Sequence, residues 1–107
     1  MKRGEIWTLQ GSGYASKPRP VLVVQGSHID DYGSLVVCLI SSFDSGDSLR
    51  VRVEPNTENG LNKTSYIMVD KIYSTPKSEF GVRVGRVTSE EMDKVTALAA
   101  LLELDNS

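Results

Sequence analysis

The chain has little of what most enzymes use for chemistry: one cysteine and one histidine in 107 residues. A lone Cys38 excludes an internal disulfide and fits a reducing compartment. With His28 as the single histidine, neither a His/Cys zinc site nor a paired-histidine mechanism can be assembled within the chain. No apolar run nears the ~18 residues of a membrane helix. The basic opening Met1-Lys2-Arg3 leads into no apolar segment of the secretory type, so the expected location is the cytoplasm. The G-x-x-x-x-G-K phosphate loop, the G-x-G-x-x-G dinucleotide loop and the G-x-S-x-G nucleophile elbow are all missing. What remains for chemistry is cations, hydroxyls, carboxylates and tyrosines, and the expectation is a protein that works without metal, nucleotide or cofactor.

What is present is an ordinary globular composition, 39% hydrophobic and 24% charged, in a length that suits one domain over residues 1–107. A net charge of −2 argues against the bulk electrostatics of a typical DNA-binding domain. The charge is unevenly spread. From Ser89 onward five acids face the single Lys94, which leaves eleven cations and nine acids in residues 1–88. That excess allows a local basic site in the first part of the chain.

The hydrophobic pattern predicts short strands and then one helix. "EIWTL" (5–9) reads as a strand, with Ile6 and Thr8 on one face and Trp7 and Leu9 on the other. "PVLVVQ" (20–25) and "LVVCLI" (35–40) are continuous apolar runs, which suit strands covered on both faces. "SLRVRVE" (48–54) alternates, with Leu49, Val51 and Val53 against Arg50 and Arg52. "TSYIMVD" (64–70) and "EFGVRVGRV" (79–87) supply two more strands. The period then changes. Thr88 and Glu91 form a capping-box pattern, with Val87 and Met92 placed as a hydrophobic staple. Met92, Val95, Leu98, Ala99 and Leu102 follow at helical spacing. The expected architecture is a compact, mostly antiparallel β-barrel or curled sheet with a C-terminal helix packed alongside.

One stretch stands out, "SKPRPVLVV" (16–24), in which Arg19 is held between Pro18 and Pro20 at the entrance to a buried strand. Proline fixes its own φ, and it also drives the residue before it into an extended conformation. The guanidinium of Arg19 is therefore aimed.

These blocks resemble the MazF/PemK toxins of bacterial type II toxin–antitoxin systems. Arg3-Gly4-Glu5-Ile6-Trp7 matches the family opening R-G-[DE]-[IV]-[WY], and Arg19-Pro20-Val21-Leu22-Val23 matches R-P-[VA]-[LV]-V. Ser41-Ser42 stands where the family has a threonine-bearing strand end, and "GRVTSEEM" fits the start of its C-terminal helix. Asp70-Lys71-Ile72-Tyr73 falls where the family has an acidic residue followed by Q-[IP]-R. Tyr73 thus replaces an arginine, and Met68 stands where one PemK-like subgroup carries another.

The resemblance implies an SH3-like barrel of the MazF/PemK/CcdB type, with about five to seven short strands. It also implies a homodimer that cleaves single-stranded RNA at selected sequences without metal and is neutralised by a cognate antitoxin with a flexible acidic tail. By analogy Arg19 and Ser41 take the places of the family's catalytic arginine and threonine. Asp70 and Ser42 are further candidates for catalysis or RNA binding, and Tyr14, Lys17, Lys71 and Tyr73 for RNA binding. Metal-free RNA cleavage proceeds by attack of the 2′-OH on the adjacent phosphorus, leaving a 2′,3′-cyclic phosphate and a 5′-OH. Negative charge gathers on the phosphoryl oxygens, where a pre-aimed guanidinium is worth ~3 kcal/mol.

Other residues read more plainly. Arg50 and Arg52 are expected on the solvated face of their strand, His28 in an exposed loop, Cys38 as a small buried hydrophobe, and Trp7 in the core or a dimer contact. The runner-up function is a CcdB-like DNA gyrase poison on the same fold, although this chain ends "LELDNS" without that family's Trp-Gly-Ile tail. A third is a member of the fold that binds RNA or antitoxin without cutting.

Overall fold

In the computed structural model, residues 1–10, 18–25, 33–46 and 49–105 are described, with side chains as far as Leu102. The apolar runs and alternating segments form six strands: β1 (Glu5–Leu9), β2 (Arg19–Val23), β3 (Ser34–Ser41), β4 (Arg50–Val53), β5 (Ser65–Pro76) and β6 (Phe80–Arg86). A helix, α1 (Ser89–Asp105), follows. The strands make one antiparallel sheet in the order β4-β5-β3-β2-β1-β6.

The two unalternating runs are explained by apolar clusters on both faces of the central strands. Ile6, Leu22, Cys38 and Ile40 join the main cluster, which α1 covers with Met92, Val95, Leu98, Ala99 and Leu102. Leu9, Val21, Val23 and Val37 form a second cluster with Trp7, Leu39 and Phe80. Trp7 is half-buried there, edge-on to Phe80 with ring centroids 6.3 Å apart. Cys38 is fully buried, and burial pushes its thiol up to about 11, which leaves it inert.

The helix starts where its capping pattern places it. Thr88 Oγ1 accepts the Glu91 amide at 3.1 Å, and Glu91 Oε1 accepts the Thr88 amide at 2.9 Å. Val87 and Met92, the staple pair, are both buried in the main cluster. Arg3 ties the helix to the sheet by donating to Val24 O and to Thr96 Oγ1. Gly4 adopts φ +91°, a conformation that L side chains rarely reach, and so its amide meets Val23 O while its carbonyl accepts from Val87.

Two expectations change. The strand expected over 64–70 runs on to Pro76, because β5 recovers its pairing after a bulge. Leu39 pairs with Met68, but the next residue of β3, Cys38, pairs with Ile72, so Val69, Asp70 and Lys71 have no partner on β3. Arg50, expected in solvent, has a side chain only 9% exposed and is ion-paired with Asp70 at that bulge. Arg52 is exposed as expected and pairs with Glu54 at 2.8 Å.

The connection between β4 and β5 closes the sheet on itself. Arg86 of β6 donates to Glu58 O at 3.0 Å, so a loop leaving one edge strand is fastened to the other. Gly60, at φ +69°, lies so close to β6 that an added Cβ would sit 2.2 Å from Val84 O. No other residue type fits that approach.

Candidate functional site

Arg19 is the first residue of β2, opposite Leu9 of β1, and Pro20 lies opposite Thr8. Pairing with β3 begins only at Val21, so a proline is tolerated at this entrance. The side chain is exposed and stands between two hollows. The larger, about 620 Å³, is lined by Arg19 and its flanking prolines, by Ser41 and Ser42, by Thr8 and Met68, and by the loop from Gly60 to Lys63. The smaller, about 320 Å³, is lined by Arg19 with Gln10, Leu39, Tyr73, Thr75 and Glu79.

Ser41 ends β3 opposite Tyr66 of β5 and is half-buried. Its Oγ accepts the Phe43 amide at 3.1 Å, which fixes the hydroxyl while leaving its proton to donate. The hydroxyl therefore satisfies a local backbone group and remains able to serve a ligand oxygen. Tyr73 faces the smaller hollow, 38% exposed, and partial burial pushes its phenol upward so that it stays a donor at neutral pH.

Charge separates the larger hollow from one of similar size elsewhere on the surface. Among the described residues that line it, the larger hollow carries Arg19 and Lys63 and no carboxylate. A hollow of similar size beside the start of α1 sets Lys2, Arg3 and Arg86 against Glu5, Glu58 and Asp93. A polyanion is favoured at the first and not at the second.

The structure therefore brings Arg19, Ser41 and Ser42 together and adds Tyr73 on the other side of Arg19. Asp70 is turned to Arg50, and neither Asp70 nor the exposed Lys71 lines either hollow. Tyr14, Lys17 and His28 lie outside the described residues. Sequence reasoning passed over Thr8, Met68 as a lining residue, Asn62 and Lys63. The signal for Lys63 was slight, a single cation between the turn-rich stretch 55–60 and the next strand.

A sequence model of the family described as PemK-like, MazF-like toxin of type II toxin–antitoxin system matches residues 2–102. The chain belongs to that family. It is 38% identical over 94 residues, 86% of each chain, to a protein from Mycolicibacterium smegmatis named probable endoribonuclease MazF. Among solved structures it is similar to an endoribonuclease in complex with its cognate antitoxin from mycobacterial species, with a TM-score of 0.82 and 24% identity over 97% of this chain and 96% of that one. It is also similar to MazE–MazF from Deinococcus radiodurans, with a TM-score of 0.80 and 17% identity over 96% of this chain and 94% of that one. At these identities the structures establish the fold: six antiparallel strands in one sheet with a C-terminal helix.

In this member of the MazF/PemK family the blocks that carry the resemblance divide by position. Arg3, Gly4 and Glu5 tie the N-terminal strand to β2, β6 and the helix. Arg19 and Ser41 belong to the hollow.

Proposed function

We propose that the chain is an endoribonuclease toxin that cuts single-stranded RNA at selected sequences without a metal ion. The 2′-OH attacks the adjacent phosphorus, the P–O5′ bond breaks, and the ends are a 2′,3′-cyclic phosphate and a 5′-OH. In this reading Arg19 stabilises the charge growing on the phosphoryl oxygens, its fork matching two of them. Ser41 donates a hydrogen bond to a phosphoryl oxygen or to the departing 5′ oxygen, while the proton lost by the 2′-OH passes to water and one from water completes the 5′-OH. The protein works as a homodimer, and an antitoxin with an acidic flexible tail covers the same groove. The observation that supports the reading most directly is that Arg19, Ser41 and Ser42 line one concave surface on which the charges, among the described residues, are all positive.

The test is incubation with a long unstructured RNA in excess EDTA, beside Arg19→Ala and Ser41→Ala, with the new ends mapped by primer extension. The wild type is expected to cut at discrete sites and leave 5′-OH ends. Arg19→Ala should lose about 100-fold or more in rate, as expected when a charge-stabilising donor is removed. Cutting that persists unchanged in Arg19→Ala would remove that residue from the chemistry. A folded wild type that cuts no RNA would remove the function.

A further inference from the structure

Resting on that reading, we propose that Lys63 is a phosphate-binding residue of the RNA groove, supplied by the loop between β4 and β5. Among the described residues that line the larger hollow, the charged ones are Arg19 and Lys63, and they come from separate parts of the chain. One cation at the scissile phosphate orients a single group. A polymer is held in register only when a neighbouring phosphate is bound as well.

The loop is built to present a side chain. Asn59 is 1% exposed, and its carboxamide donates to Glu54 O at 2.8 Å and accepts the amides of Asn56 and Leu61 at 3.0 Å each. Gly60 rests against Val84 of β6. Beyond the tip, Ser65 Oγ donates to the carbonyl of Lys63 at 2.9 Å, and Thr64 Oγ1 donates to the Glu54 carboxylate. The backbone is thus fixed on both sides of Lys63, while the residue itself is exposed and, among the described residues, makes no ion pair. With the backbone already fixed, only the rotamers of the Lys63 side chain remain to be ordered when a phosphate arrives.

The experiment separates binding from cutting by using a 2′-O-methyl RNA oligonucleotide pool of random sequence, which lacks the attacking hydroxyl. Affinity is measured from low to moderate salt for the wild type, Lys63→Ala, Lys63→Arg and Lys94→Ala. Lys94 lies on α1 and lines neither hollow, so its variant makes the same change in net charge away from the groove. Lys63→Ala is expected to flatten the plot of log affinity against log salt by ~0.7 and to weaken binding about fivefold at 0.1 M salt. Lys63→Arg and Lys94→Ala should keep the wild-type slope. A wild type that cuts RNA while Lys63→Ala keeps its slope overturns the Lys63 assignment alone. An equal loss in Lys94→Ala overturns it too, since the effect would then be one of net charge. A wild type that neither binds the pool nor cuts RNA overturns the ribonuclease reading itself.

Discussion

Glu5, the acid of the opening block, shows how a residue that looks like a site signature can be an architectural one. One carboxylate oxygen accepts the Lys2 amide at 2.7 Å and the Trp7 indole at 3.1 Å, and the other meets Arg83 Nε of β6 at 3.1 Å. Burial alone would raise its pKa, but the backbone bond from Lys2, the indole bond and the charge of Arg83 together hold it below the ordinary 4.5. A folded-state value lowered in this way contributes stability at pH above 4.5 and loses it as pH falls through the lowered value. Glu5→Gln is therefore expected to be less stable than the wild type at neutral pH by about 1–2 kcal/mol. The gap should close on acidification, as read from denaturant melts at a series of pH values. Arg19 and Ser41 were legible in the sequence because each sits in a short block with its constraint beside it, prolines for one and a strand end for the other. Asp70 was legible as a charge and not as a partner. Its ion pair with Arg50 depends on a bulge and on the register between β4 and β5, which no local window contains.

At the level of elements, the helix was readable end to end because its information is local. The cap, the staple and the apolar stripe all lie within residues 87–102, and the structure uses each of them. Thr88→Ala removes the hydroxyl that accepts the Glu91 amide and leaves the reciprocal bond from Glu91 intact. It should cost ~1 kcal/mol and lower the melting temperature by roughly 4 °C, which calorimetry can check. β5 was readable only in its first half. Ile72, Tyr73 and Thr75 are good strand formers, yet the exposed run Asp70 to Ser74 breaks the alternation that marks a strand. The second half is a strand because β3 is long enough to pair with it.

Across the whole molecule, β3 is expected to carry most of the cooperativity. It pairs with β2 on one side and β5 on the other, and it places side chains in both apolar clusters. Its amides, especially around Val37 and Cys38, are expected to exchange with deuterium only when the whole molecule opens. Asp70 and Lys71, unpaired with β3 at the bulge, should exchange orders of magnitude faster. Slower exchange in the edge strands β4 and β6 than in β3 would contradict this hierarchy. The fastening of the β4–β5 loop onto β6 reaches further than stability. The backbone that closes the sheet and the backbone that lines one side of the groove are a single segment, anchored at Asn59 and Gly60 and open to solvent at Asn62 and Lys63. For this chain, substitutions at the tip are expected to alter what the proposed groove accepts at little structural cost, whereas substitutions at the anchor threaten folding. A lineage could in this way change its target while keeping its architecture.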